Sequence, residues 1–224
     1  MRSLKAPFKD WGRRRMLARA GVREQISVPV HVAGARSGTW AIHPAPINSD
    51  SVVYSFGVGD NIAWDLSLIA EFGLTVHAFD PTPRSVSWIS AQELPAQLHF
   101  HPVGLAARDG EQAFAQPTKE RSFNYRPAAG GSLALPAERL VTIARRLGHA
   151  RVDILKVDIE GGEYEALPDI LSSGVEVGQL LVEFHHDQDD HSFEDTLGAL
   201  EMLSAAGFSL FHISRRGLEM SFLS

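Results

Sequence analysis

The sequence predicts an α/β fold: a mostly parallel sheet with helices on both faces, finished by an antiparallel hairpin. Three observations carry this. From Val52 onward, short apolar runs alternate with amphipathic segments, the pattern of strand–helix units whose strands lie parallel. One run, Val152–Ile159, is nearly continuous in apolar and β-branched residues, as a strand covered on both faces is. The last two runs, Phe208–Ser214 and Leu218–Leu223, are joined only by Arg215-Arg216-Gly217 and read as a terminal hairpin.

The elements follow in order. A basic N-terminal segment reads as a helix, and Val28–Ala33 with Thr39–His43 flank Gly34 and Gly38 as a short β-hairpin. Val52–Phe56 is a strand ending in Gly57-Val58-Gly59, and Asn61–Phe72 is a helix closed by Gly73. Thr75–Phe79 is a strand stopped by Asp80-Pro81, and Thr82 or Ser85 caps a helix to about Gln92. Gln97–Val103 is a third strand, Glu111–Gln116 an extra one, and Pro117–Pro136 an irregular segment rich in turn formers. Ala137–Gly148 reads as a helix, Glu163–Ser173 as a helix with acids at its positive end, Gln179–Phe184 as a strand, and Ser192–Ala206 as a helix. This divides the chain into residues 1–50, a basic helix and hairpin extension, and residues 51–224, the α/β domain.

Bulk properties narrow the function. With 224 residues, 44% hydrophobic and 21% charged, the chain is long enough for one well-cored domain. No stretch approaches the roughly 20 apolar residues that span a bilayer, so stable membrane insertion is not expected. The chain has no Cys, which excludes disulfides, thiolate metal sites and a cysteine nucleophile; a cytoplasmic compartment is the default expectation. Residues 1–25 hold eight Lys/Arg against two Asp/Glu, whereas the rest is acidic. An acidic body argues against nucleic-acid binding, which needs clustered cations. Leu4, Phe8 and Trp11 share a helix face interrupted by Arg15, and the favoured reading docks this helix on the domain with its cations in water.

Four motifs carry chemistry. Ser55-Phe56-Gly57-Val58-Gly59-Asp60 is a glycine turn at a strand end, where missing Cβ atoms let the backbone approach a ligand. It lacks the third glycine of the dinucleotide fingerprint. Asp80 ends the next strand about twenty residues on, where a carboxylate accepts the hydroxyls of a ribose. Ile154-Leu155-Lys156-Val157-Asp158-Ile159-Glu160-Gly161-Gly162-Glu163 delivers Asp158 and Glu160 at the exit of a buried strand, with Lys156 on the same face. An acidic helix-capping loop explains Glu163 but not Lys156 inside an apolar strand. Val182-Glu183-Phe184-His185-His186 places Glu183 and His185 at the exit of the following strand, where histidine serves as a general base near neutral pH. Residues 187–191 read as solvated loop.

Together, Phe56-Gly57-Val58-Gly59, Ala78-Phe79-Asp80-Pro81, Leu155-Lys156-Val157-Asp158-Ile159-Glu160-Gly161 and Leu181-Val182-Glu183-Phe184-His185 resemble the FkbM-type methyltransferases, from about Val52 to Phe211. The resemblance implies a class I methyltransferase, Rossmann-like fold that binds S-adenosylmethionine. It implies that Gly57, Val58 and Gly59 line the methionine and ribose part of the cofactor and that Asp80 holds the ribose hydroxyls. Val103-Gly104-Leu105 would pass the adenine, and Asp158 would face the reacting end. Ser55 departs from an acidic residue common in the family, Asn61 replaces the third glycine position, and Asp60 is the adjacent compensating carboxylate. The expected function is O-methylation of a hydroxyl on a small-molecule or saccharide acceptor. His185 is the base, with Asp158, Glu160 and Glu183 orienting the acceptor. Arg121, Tyr125 and Arg126 are acceptor contacts or loop residues. Asp158, Glu183 and His185 would also suit Mg²⁺ or Mn²⁺, but a metal-free site is favoured because strand-end carboxylates commonly do other work. The alternatives are a non-catalytic cofactor-binding scaffold and a nicotinamide-dependent oxidoreductase, the latter disfavoured by the glycine pattern and the terminal hairpin.

Overall fold

The computed structural model describes residues 6–35, 38–118, 122–186 and 191–224, with 6–8 as backbone only. Helix α1 (Ala6–Arg19) leads to a hairpin of β1 (His31–Ala35) and β2 (Gly38–Ile42). Then come β3 (Val52–Phe56), α2 (Ala63–Phe72), β4 (Thr75–Phe79), α3 (Pro83–Ile89) and β5 (Leu98–His101). Four short strands follow: β6 (Gly104–Leu105), β7 (Gly110–Ala115), β8 (Arg126–Pro127) and β9 (Leu133–Glu138). The chain continues through α4 (Leu140–Leu147), β10 (Arg151–Val157), α5 (Glu163–Ser172), β11 (Glu176–Glu183) and α6 (Phe193–Ala205), and β12 (Ser209–Ile213) and β13 (Glu219–Leu223) complete it.

Seven strands form the main sheet in the order β12-β13-β11-β10-β3-β4-β5. The five from β11 to β5 run parallel, while β13 runs antiparallel to both its neighbours, as the terminal hairpin requires. Strand order reverses between β3 and β10, and open α/β sheets bind ligands in the crevice at such a point. The central strands are largely apolar because each of their faces is covered. Tyr54, Phe56, Leu155 and Val157 pack with Leu140, Ile143, Leu167 and Leu203 of α4 to α6. Val53, Ile154, Val76 and Leu181 pack with Trp64 and Leu68 of α2 and with Trp40 and Ile42 of the hairpin.

Three expectations are corrected. The segment 117–136, read as irregular, contributes β8 and part of β9 to a second sheet of order β6-β9-β7-β8. Ala137 and Glu138, read as helix, pair with Gly104 and Leu105 instead, so α4 starts only at Leu140. Lateral pairing with a distant strand overrode local helix propensity there. The N-terminal helix does dock, through Leu17, which is 2% exposed. However, two of its cations are not spent on water: Arg13 donates to the Arg216 carbonyl at 2.8 Å, and Arg14 to those of Ile213 and Ser214. Trp11 faces outward beneath Arg15, away from the docking face, and the Phe8 side chain of the same predicted stripe lies outside the described residues. Leu4 lies outside the described residues.

The β4–β5 side of the sheet carries a histidine cluster. His77 bonds His101 at 3.0 Å, stacks on His99 and meets His149, which bonds the Tyr54 hydroxyl at 2.7 Å. Burial, with the neighbouring His101, His149 and His99, lowers the His77 pKa to about 4. Arg146 and Glu138 also act on this cluster, through His101. A folded-state pKa below the unfolded value contributes stability that is present above about pH 6.5 and lost as pH falls toward 4. Melting temperatures of wild type and His77→Phe, measured between pH 7.5 and 4.5, should therefore converge, or cross, as pH falls. A constant difference across that range would refute this.

Candidate active site

The site begins at the β3 exit. Gly57 has φ +83°, and a Cβ there would stand 1.7 Å from the Asp158 carbonyl oxygen, so β3 and β10 close on each other only because this residue has no side chain. Lys156, 5% exposed, fixes the turn from below by donating to the Phe56 and Gly57 carbonyls at 3.0 and 3.1 Å. This is the structural work of the lysine that looked out of place in an apolar strand. Ser55 is buried, and beside it lies Asp65, a buried carboxylate of α2 whose pKa burial raises against the opposing pull of Lys156 and Ser55. Asp65 and Asp60 both border the cavity, Asp65 buried and Asp60 exposed on its rim. Asn61 donates to the Ala35 carbonyl and accepts from the Ala63 N–H, tying the hairpin to the start of α2.

Asp80 is 6% exposed. One oxygen accepts from the Gly59 N–H at 3.0 Å, and the other from the Thr82 N–H at 2.9 Å and hydroxyl at 2.6 Å. It thereby holds the glycine turn against the start of α3. Gly104 lies beside Pro81, close enough that a Cβ would meet its ring at 3.2 Å.

The β10 and β11 exits build the other half. Glu163, fully buried, accepts from the Gly161 N–H through one oxygen and from the His185 N–H and ring Nδ1 through the other, at 2.9, 2.8 and 3.0 Å. This orients the His185 ring so that Nε2 points toward Asp158, Glu160 and Glu183 at 3.9, 3.7 and 3.8 Å. Burial alone would lower the His185 pKa, but the hydrogen bond and charge of Glu163, with Asp158 and Glu183, raise it to about 10. Burial and the neighbouring Asp158 and Glu219 push Glu183 up to about 8, opposed by Arg216, which donates to it at 2.8 Å. Neighbouring carboxylates raise both values, while burial adds to the shift of Glu183 and opposes that of His185. Glu160 adopts φ +53°, a conformation a non-glycine residue takes only when its surroundings enforce it.

These pieces line one cavity of about 430 Å³, within the range of ligand pockets. Gly57, Val58, Gly59, Asp60, Asp80, Gly104, Asp158, Glu160, Glu183 and His185 all border it, so the structure brings the sequence-predicted site together. Of the acceptor candidates, Tyr125 lines it, Arg126 does not, and Arg121 lies outside the described residues.

The model of the methyltransferase FkbM domain family matches residues 31–210. The chain belongs to the FkbM methyltransferase family. The match begins at the β1–β2 hairpin, ahead of the Val52 start given by the motifs. Probable methyltransferase-like protein 24 of Homo sapiens is 29% identical over 141 residues, 62% of this chain and 33% of that protein. Its counterpart in Rattus norvegicus is 30% identical over 136 residues, 59% and 32% of the respective chains. The matched stretch is about a third of the length of these curated relatives. Among solved structures, a fibrillarin pre-rRNA processing protein of Methanococcus jannaschii is 12% identical with a TM-score of 0.48, over 80% of this chain and 68% of that one.

Reading the FkbM motifs alone missed Asp65, Arg13 and Arg216 in the cavity wall and gave Glu163 only a capping role. The signal for Asp65 was a single acid within the apolar stretch Ile62–Ile69. Arg216 left none, since a cation in a hairpin turn ordinarily faces water. No helix among the described residues is long and apolar enough to cross a membrane.

Proposed function

We propose that this FkbM-family chain is an S-adenosylmethionine-dependent O-methyltransferase acting on a hydroxyl of a small-molecule or saccharide acceptor. The observation carrying this is one cavity that joins the glycine turn and Asp80 to a cluster of carboxylates around His185. The residues fit the cofactor. Gly57 and Gly59 keep the wall free of Cβ atoms, and Asp80 retains lone pairs toward the cavity for ribose hydroxyls. Gly104 and Leu105 border the adenine end, and Asp158 the reacting end. On this reading residues 51–224 carry the chemistry, and the 1–50 extension closes one side through Arg13, Gly38 and Trp40.

When bound, the cofactor supplies a methyl group already activated by its sulfonium. The protein's task is then alignment, exclusion of water and removal of one proton. An acceptor hydroxyl aligned with that methyl group would take it up at oxygen and give up its proton. The hydroxyl proton passes to a carboxylate at the β10 exit, Asp158 or Glu160. His185, held as an imidazolium, donates to and orients the acceptor, which revises its expected role as base. Glu183 fixes it from the far side. Phe114, Phe123 and Tyr125 offer flat apolar surface opposite these polar groups, a combination that suits a sugar ring.

Calorimetric titration should show micromolar binding of S-adenosylmethionine and S-adenosylhomocysteine. With a methyl-labelled donor, label should enter polyols or saccharides as alkali-stable ethers. Transfer to amines, or an alkali-labile ester, would rule out the hydroxyl reading. Cofactor binding without turnover on any acceptor would favour a scaffold role.

A further inference from the structure

At the exits of β10 and β11, donor atoms of Asp158, Glu183 and His185 lie within 4.8 Å of one another. From this geometry we infer that Asp158, Glu183 and His185 form a binding site for a divalent cation of the Mg²⁺ or Mn²⁺ class.

The independent pointer is the histidine. His185 is 6% exposed, and its Nδ1 is committed to Glu163 at 3.0 Å. That leaves Nε2 aimed into the cavity with carboxylate oxygens at 3.7 to 3.9 Å, beyond hydrogen-bond reach. Ligands around one ion at roughly 2.1 Å stand about 3 to 4 Å apart, so the spacing suits a shared cation better than direct bonds. A carboxylate behind a histidine is also the arrangement that fixes a metal-ligating ring and leaves its far nitrogen free to coordinate. Glu163 is fully buried and immobilised by the Gly161 N–H as well, so the ring is held before any ion arrives.

Donor chemistry selects the ion. Two carboxylates and one imidazole, in a chain without Cys, suit a hard or borderline divalent ion and not one that prefers thiolates. Asp158 remains about a quarter exposed toward the cavity, so coordination positions stay open on that side. Arg216, also in the cavity wall, bonds Glu183 Oε1 at 2.8 Å and so fixes that carboxylate beside the ring. The use of the site rests on the O-methyltransferase reading: an ion there would displace the Nε2 proton of His185, so that the ring ligates instead of donating, and would hold the acceptor oxygen beside the methyl donor and acidify its hydroxyl. The site itself does not depend on that reading.

The test is titration of the full chain with Mn²⁺, followed by electron paramagnetic resonance of the bound ion. We expect one Mn²⁺ per chain and a nitrogen modulation from one histidine. His185→Gln should abolish the modulation, and Asp158→Asn, at a partly exposed position, should weaken binding at least tenfold. Melting curves would confirm that both variants fold. An unchanged free-Mn²⁺ signal at millimolar concentration, or binding without histidine nitrogen coupling, would overturn the inference. Cofactor binding, read calorimetrically on the same samples, separates the two readings: cofactor bound without Mn²⁺ removes only the metal site, and Mn²⁺ bound without cofactor removes only the methyltransferase assignment.

Discussion

Gly57→Ala should cost this protein about 4 kcal/mol of stability, combining left-handed backbone strain with a forced separation of packed groups. For a chain of this size that is a fall in melting temperature of about 10 °C. The added methyl would sit 1.7 Å from the Asp158 carbonyl oxygen and 2.9 Å from its carbon, both backbone atoms. Neither can rotate away. Relief requires β3 and β10 to part at the point where Lys156 clamps the Phe56 and Gly57 carbonyls and where Asp158 enters the cavity. Cofactor affinity should fall with stability, because the same movement displaces both. Gly59→Ala is the control. Its φ is also positive, at +56°, but a Cβ there meets only Phe123, at 3.9 Å. It should lose only the conformational part, about 1 kcal/mol. Melting curves of the two variants decide the matter, and equal losses would show that the approach of Asp158 is not what demands glycine at 57.

Asp80→Ala should weaken S-adenosylmethionine binding at least a hundredfold, about 2.7 kcal/mol. On the proposed reading the carboxylate serves the cofactor directly, and it accepts from the Gly59 N–H and from both donors of Thr82. Removing it leaves a turn donor unpaired and loosens the glycine wall. Asp80→Asn retains an oxygen for Thr82 while losing the charge, and should fall between the two. Calorimetry at a temperature where all three forms are folded isolates the binding effect. Wild-type affinity in Asp80→Ala would mean that the ribose lies elsewhere.

Much of this was legible because it is local. The 52–84 stretch predicts its strands, its helix and the αL cap at Gly73 from periodicity and turn chemistry, and the structure has them in place. The Lys156–Glu163 block announced a strand-end site, since charged residues inside an apolar run demand partners. What local pattern could not supply was the partner. β9 borrows Ala137 and Glu138 from a helical-looking segment because Gly104 and Leu105, about 33 residues away, offer their backbone. Arg13 and Arg14 bond protein carbonyls because a hairpin turn some 200 residues on presents them.

The sequence by itself determined the sheet class, the glycine turn and the set of charged groups delivered to the switch point, because alternation of faces and the end of a strand are properties of neighbouring residues. Only the tertiary structure decided what those groups are. It brought Asp65 beside Ser55 near Lys156, set Glu163 behind His185, and ringed the expected base with carboxylates that raise its pKa. The physical reason is that ionisation depends on burial and on charges within a few ångströms, and those neighbours come from strands and turns far apart in the chain.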